Sequence, residues 1–320
     1  MLGSITRLAE DRAGGIYVLD ELGPIIRHFG ADGVYVGSVG RGGEGPGEYG
    51  SLSLGMVVDV TGVLHVSDWG NGRITRFSPD GDPLDPWRID APFLTTVPGR
   101  WVFSDGPGRV LLRAAPDGRP ALLALEDGRS VDTLRVPSLS GVPELRGGPY
   151  RVEEYWGFHP EGHFVVGVSA EYSFEVRRPG EVLRISRVTE AVPVHAAEAA
   201  EWRRRFEWME AEPRYNAPVG EWFPSHMPPF RGLQVGDDGR VRVRRNAHPV
   251  RSDVETPEGG PPPITWRQTH SYDVFEADGR FLGEVRFPDD VEPLLFAAGH
   301  IWGIRRYRPG PNSTALMKSS

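Results

Sequence analysis

The chain has 320 residues, 39% of them hydrophobic and 25% charged, with a formal net charge of −8. This balance suits a soluble protein with a real core and excludes a global basic field that would gather nucleic acid or anionic lipid. The absence of cysteine excludes disulfides, thiolate metal sites and cysteine nucleophiles, and no apolar run approaches the roughly 20 residues needed to cross a bilayer.

The 41 Gly and 30 Pro favour short strands joined by tight turns. Basic charge is almost entirely Arg, Lys318 being the only lysine, which points to GC-rich bacterial coding and not to a phosphate-binding signature. Residues 1–14 lack a basic segment followed by an apolar one, so no signal peptide is expected there.

In chain order, a turn glycine feeding a short strand recurs at Gly14, Gly62, Gly108, Gly162, Gly239 and Gly299. A second turn signal trails most of these: Asp32-Gly33, Asp80-Gly81, Asp127-Gly128, Pro179-Gly180 and, late in the fifth unit, Asp278-Gly279. Asp-Gly is a strong hairpin signal because both central residues of a type I′ turn need positive φ. Each unit therefore reads as strand a, turn, strand b, loop, strand c, Asp-Gly turn, strand d, which is a four-stranded propeller blade.

The fourth and fifth spacings are too long for a bare blade. Segment 193–229 carries a predicted helix, HAAEAAEWRRRFEWMEA, with Ala199, Trp202, Phe206 and Met209 forming one apolar stripe. Segment 246–270 carries a Pro/Gly-rich stretch and reads as a mobile loop. Residues 308–320 offer one further strand, so the sixth blade is expected to be incomplete, with an edge able to pair with another chain. Residues 1–320 thus form a single all-β, six-bladed propeller domain.

Residues 40–81, GRGGEGPGEYGSLSLGMVVDVTGVLHVSDWGNGRITRFSPDG, resemble an NHL repeat, as found in bacterial six-bladed propellers with a GxGPGE-type loop before the second blade. Residues 228–245 and 271–288 resemble the same family. The resemblance implies the propeller fold and, loosely, a range of activities. It also implies that Asp68 and Arg73 tie neighbouring strands. Proteins of this kind are often exported, which leaves the compartment open here.

Propeller topology places the d-to-a and b-to-c connections on one face and the tight turns on the other. The loop 40–50 and both insertions fall on the first face, where the insertion 193–229 is expected to form a partial lid. Six residues after each turn glycine come Asp20, Asp68, Ala114, Val168, Arg245 and Arg305, giving a rim that is acidic over two blades, neutral over two and basic over two. Arg113 and Arg244 enlarge the basic part. Arg41, Glu44 and Glu48 from the first loop and Trp69 from a b-to-c turn complete the candidate binding residues. The bland reading of the rim is salt bridging between blades. Trp156, Trp266 and Trp302 are expected in inter-blade cores.

Two motifs dissolve on inspection. Gly40-Arg41-Gly42-Gly43-Glu44-Gly45 fits GxGxxG, but a strand follows it where a dinucleotide site needs a helix, and its glutamates would repel phosphate. His159 and His163 are four apart, yet Pro160 and Gly162 put them on a turn and not on one helical face, so no metal site is assigned.

The leading functional expectation is a non-catalytic module holding a protein, peptide or small ligand on the loop-rich face, with no cofactor. The resemblance implies an alternative, a metal-dependent lactonase, hydrolase or lyase with calcium or zinc in the central channel. Asp59, Asp237 and His300 are poor ligands for it because they fall at a-to-b turns on the opposite face. Net acidity argues against nucleic acid as a partner.

Overall fold

The computed structural model describes residues 5–20, 25–50, 55–68, 70–88, 102–104, 109–115, 117–139, 148–211, 223–252, 254, 260–297, 299–306 and 314–319. Strands a to d of blade one are Ile5–Glu10, Ile16–Asp20, Ile25–Phe29 and Tyr35–Val39; those of blade two are Gly55–Val58, Leu64–Asp68, Arg73–Phe77 and Pro83–Arg88. Blade three comprises Val102–Ser104, Val110–Ala114, Ala121–Glu126 and Arg129–Arg135, and blade four Glu154–His159, His163–Val168, Ser173–Arg178 and Glu181–Ser186. Blade five uses Phe230–Val235, Val241–Arg245, Ser271–Phe275 and Phe281–Arg286. Blade six has three strands among the described residues, Val291–Ala297, His300–Arg306 and Thr314–Ser319. Every blade is antiparallel with strands in sequence order.

Strand a is innermost. That of blade one lies against strand a of blades two and six, blade two's lies against blade three's, and blade four's lies against blade five's. Strand b of blades one and two is buried throughout, whereas strand d of blade three is almost wholly exposed. No blade can bury both of its apolar faces alone, so the cores lie between blades. Tyr17, Leu19 and Ile26 of blade one meet Met56, Leu64 and Val66 of blade two. Phe174 and Val176 of blade four meet Phe230 and Val243 of blade five. Tyr272, Phe287 and Phe296 join blade five to blade six edge to face.

The ring closes through side chains. Ile5, Leu8, Ile16 and Val18 of blade one pack with Leu295, Trp302 and Ile304 of blade six. The single lysine, Lys318, lies 4.8 Å from the Trp302 ring centroid and donates to the Gly14 carbonyl at 3.0 Å. Among the described residues no strand of blade one pairs with blade six. Trp302 sits in a core as expected, and Trp156 packs beside one. Trp266 instead belongs to the blade-five insertion, stacked on His195 at 5.1 Å.

Five of the a-to-b turn glycines, Gly14, Gly62, Gly162, Gly239 and Gly299, have positive φ, and Gly108 lies outside the described residues. The Asp-Gly turns are hairpins, but their chemistry differs from the expected type I′. Only the Asp127-Gly128 turn has positive φ at both residues. At Asp32-Gly33 the aspartate keeps negative φ, Gly33 donates to Gly30, and the register shifts beside it. That is a type I turn closed by a left-handed glycine bulge.

Candidate functional site

The loop 40–50 is a built structure. Arg41–Gly42 runs parallel to Glu48–Tyr49. Arg73 donates to the Gly45 and Glu48 carbonyls at 2.7 and 2.8 Å, and Asn71 donates to the Gly43 carbonyl at 2.9 Å. Asp68, fully buried, accepts from the Gly50 amide at 2.9 Å and pairs with Arg73 at 3.5 Å. Glu48 accepts from the Gly45 amide at 2.8 Å and from Arg41 at 2.7 Å, and both contacts hold its carboxyl below the usual range. The chain's own carboxylate therefore occupies the glycine-rich loop, in the place a phosphate would take. Glu44 is exposed. Trp69 lies outside the described residues.

The charged rim is neutralised locally, within blades. Asp20, buried, pairs with Arg27 of its own blade at 2.5 Å. Arg245 lies 3.6 Å from Glu284 and 3.9 Å from Asp273, both of blade five. Arg305 pairs at 3.1 Å with Asp290, in the connection leading into blade six. Arg113 stacks over the Trp156 ring of the next blade at 4.5 Å, and burial pulls its guanidinium down. Salt bridging is thus present on the rim as in the bland expectation: Arg27 and Arg73 on strand c face Asp20 and Asp68, while Asp273, a partner of Arg245, also pairs with Arg187 from the connection leaving blade four.

Glu284 shows what this local pairing implies for pH. Hydrogen bonds from Arg286 and Ser271 hold its carboxyl at about 2, against an ordinary 4.5. A depressed carboxyl adds stability above its unfolded value and loses it as pH falls through the folded one. Arg286 is three-quarters exposed, so solvent screening limits the contribution to about 1 kcal/mol. Glu284→Gln should lose roughly that much at pH 7, the gap to the parent closing between pH 4.5 and about 2 in melting curves. A gap that stays constant across this window would refute the assignment.

Besides Arg113, which among the described residues has only its ring contact, two arginines escape this neutralisation. Strand a of blade five carries a bulge between Phe230 and Gly232, so Arg231 is the extra residue and is aimed differently from its neighbours. It is exposed, at the loop-rich end of an innermost strand, hence at the channel mouth. Arg244 pairs with Gly232 across the ladder, beside it. Among the described residues neither arginine has a carboxylate or hydrogen-bonding partner. Enclosure by protein and the charge of Arg244 pull the Arg231 guanidinium below its ordinary value, while Tyr150, Tyr155 and Tyr272 lie close enough to raise it. Arg231 was absent from the sequence-derived candidates. Its visible signal in the sequence is an arginine next to Phe230 in the strand FRGLQV.

The insertions meet above this point. Helix α1, Ala196–Ala211, buries Glu198 and Glu201 as well as Ala199, where the apolar stripe alone was expected. Glu198 accepts from the Tyr150 hydroxyl, and burial raises the Glu198 carboxyl. Glu201 accepts from the Thr265 amide and hydroxyl at 2.7 and 2.8 Å, and Arg205 donates to the Pro262 carbonyl at 3.2 Å. The second insertion, expected to be mobile, thus has a helix contact and its own ladder, Val250–Arg251 with Trp266–Arg267. Trp202 and Phe206 stack on each other, half-buried.

Among the described residues one group of histidine and carboxylate side chains comes close enough to share an ion: His159, Glu161 and His163, on the tight-turn face. The fold and this arrangement define a six-bladed β-propeller with one decorated face. No family model matches the chain, and no curated protein does. Solved structures do. A member of the duf4221 family from Bacteroides vulgatus aligns with all of this chain and 93% of its own at 10% identity and a TM-score of 0.50. A putative exported protein from Bacteroides fragilis covers 95% of this chain and 79% of its own, at 11% identity and a TM-score of 0.49. A gluconolactonase from Xanthomonas campestris covers 100% and 87%, at 14% identity and a TM-score of 0.47. At such identities the likeness concerns the fold alone. No helix among the described residues is long and apolar enough to cross a membrane.

Proposed function

We propose that this propeller is a non-catalytic binding module whose loop-rich face holds a ligand through an anionic group, a carboxylate or phosphate of a peptide, protein or small molecule. The observation that carries the reading is the pair Arg231 and Arg244. On a face where the rim charges at Asp20, Asp68, Arg245 and Arg305 each have an internal partner, these two adjacent cations have none among the described residues. Two neighbouring guanidinia disfavour each other, and an incoming anion relieves that repulsion while gaining charge-assisted hydrogen bonds.

Tyr150, Tyr155 and Tyr272 supply aromatic walls. The hydroxyls of the first two are already committed to Glu198 and Glu153, which fixes their rings in place. Helix α1, tied to Tyr150 and Thr265, forms the proposed lid. Arg113, Arg41 and Glu44 belong to the outer part of the same surface.

Melting-temperature shifts with mono-, di- and tricarboxylates and inorganic phosphate test the reading. At a hundredfold excess over Kd, linkage gives about 2.7 kcal/mol of stabilisation. Arg231→Gln and Arg244→Gln should each abolish the shift. An equal shift in both variants, or none in the parent with any of these anions, would remove the proposal.

A further inference from the structure

The a-to-b turn of blade four presents a second site, on the face opposite the arginines. His159 ends strand a and His163 begins strand b. They are directly paired across the ladder, with Pro160, Glu161 and Gly162 as the turn between them. Their rings stack at a centroid distance of 4.1 Å and an interplanar angle of 16°. Both are at least 95% buried, while Glu161 is exposed with its Oε2 3.8 Å from His159 Nδ1.

The hydrogen bonds settle the tautomer of His159. Nε2 faces the Gly239 carbonyl at 3.1 Å, and an oxygen that can only accept requires Nε2 to carry the proton. Nδ1 faces the Glu161 amide at 3.1 Å, and a group that can only donate requires Nδ1 to hold a lone pair. A ring N–H tied to a backbone carbonyl, with the other nitrogen left basic, is the usual arrangement of a metal-ligating histidine. The opposing amide sits at a solvent-facing turn, where water can replace the contact it would lose. His163 adds the independent observation: its Nε2 is buried with no hydrogen-bond partner.

We propose that His159, Glu161 and His163 form a binding site for a borderline divalent transition metal such as Zn2+, with water completing the coordination. One imidazole pair and one carboxylate is a donor set for such ions and not for Ca2+ or Mg2+, which prefer oxygen shells. The ligand atoms lie within 4.8 Å of one another. Tetrahedral zinc needs them about 3.3 Å apart, so side-chain rotation of about an ångström closes the site. The bound ion would lock the hairpin and, through His159 and Gly239, join it to the adjacent turn of blade five.

The test titrates Zn2+ into the metal-free full chain by calorimetry, with melting temperature as a second readout. The parent should bind one equivalent and melt higher. His163→Ala should weaken binding about a hundredfold and Glu161→Gln, at an exposed turn that leaves folding intact, about tenfold. His248→Ala, an exposed histidine elsewhere, should change nothing. Absence of stoichiometric binding, or unchanged affinity in Glu161→Gln, overturns the proposal. So does full retention of the metal by His163→Ala, which would place the ion elsewhere in the molecule.

Discussion

Replacing Asp273 by alanine should destabilise the protein by about 3–5 kcal/mol, the penalty for leaving buried charge without its counterpart. Asp273 is fully buried on strand c of blade five. It accepts from the Tyr172 hydroxyl at 2.5 Å and forms ion pairs with Arg187 at 2.7 Å and Arg245 at 3.9 Å. Burial and the Asp273 carboxylate push the Tyr172 hydroxyl far above its ordinary pKa, so it serves as a committed donor. Tyr172 and Arg187 come from blade four and its outgoing connection, Asp273 and Arg245 from blade five. One carboxylate therefore joins two blades. Its loss strands the Arg187 guanidinium and the buried Tyr172 hydroxyl together, while Arg245 keeps Glu284, and that is worse than losing any one contact. Chemical denaturation should show the drop, with a melting temperature lower by roughly 10 °C. Asp273→Asn, which keeps an acceptor for Tyr172, should fall less. A cycle with Tyr172→Phe should give a coupling of about 0.5–3 kcal/mol. A loss below about 1 kcal/mol for the alanine variant would show that the ion pairs do not hold the joint.

Asp273 also marks the limit of what could be read from the chain. The blade pattern was legible because turn glycines carry a backbone requirement that no tertiary context overrides: Gly14, Gly62, Gly162, Gly239 and Gly299 all take positive φ. Asp-Gly located the hairpins but misled on their type, since a left-handed glycine serves a bulged type I turn as well as type I′. The rim was legible as charge and illegible as pairing. Asp20 and Asp68 are six residues after their glycines, but only the register reveals that Arg27 and Arg73 face them. Arg231 was hidden because period-two alternation fails at a bulge. The helix stripe identified Ala199 and missed Glu198 and Glu201, whose partners Tyr150 and Thr265 lie 48 and 64 residues away. His159 and His163 were set aside because spacing by four was judged against a helix. A three-residue hairpin turn brings the same spacing face to face.

Gly40→Ala should cost about 3 kcal/mol and loosen the loop that carries Arg41, Glu44 and Glu48. Gly40 follows strand d of blade one with φ of +67°, and a Cβ there would meet Phe77 and Tyr49 at 2.7 Å and the Gly47 carbonyl at 2.8 Å. Two separable effects are involved. The left-handed conformation alone costs a non-glycine residue about 1–2 kcal/mol. Crowding adds about 1–3 kcal/mol, because Phe77 and Tyr49 are themselves buried in the core between blades one and two. Gly33→Ala isolates the first effect: its φ is +77° and a Cβ would meet nothing within 4 Å. The difference between the two variants then measures crowding. Tyr49 cannot yield freely, since its hydroxyl accepts from the Ile26 amide at 3.0 Å. The Gly40 variant should therefore displace the loop and expose amides that now face Glu48, read as faster hydrogen exchange at Gly45 with Gly33→Ala unchanged there. Equal stability losses in the two variants would mean that the loop gives way without resistance, and that the tie from Asp68 and Arg73 does not hold it against the core.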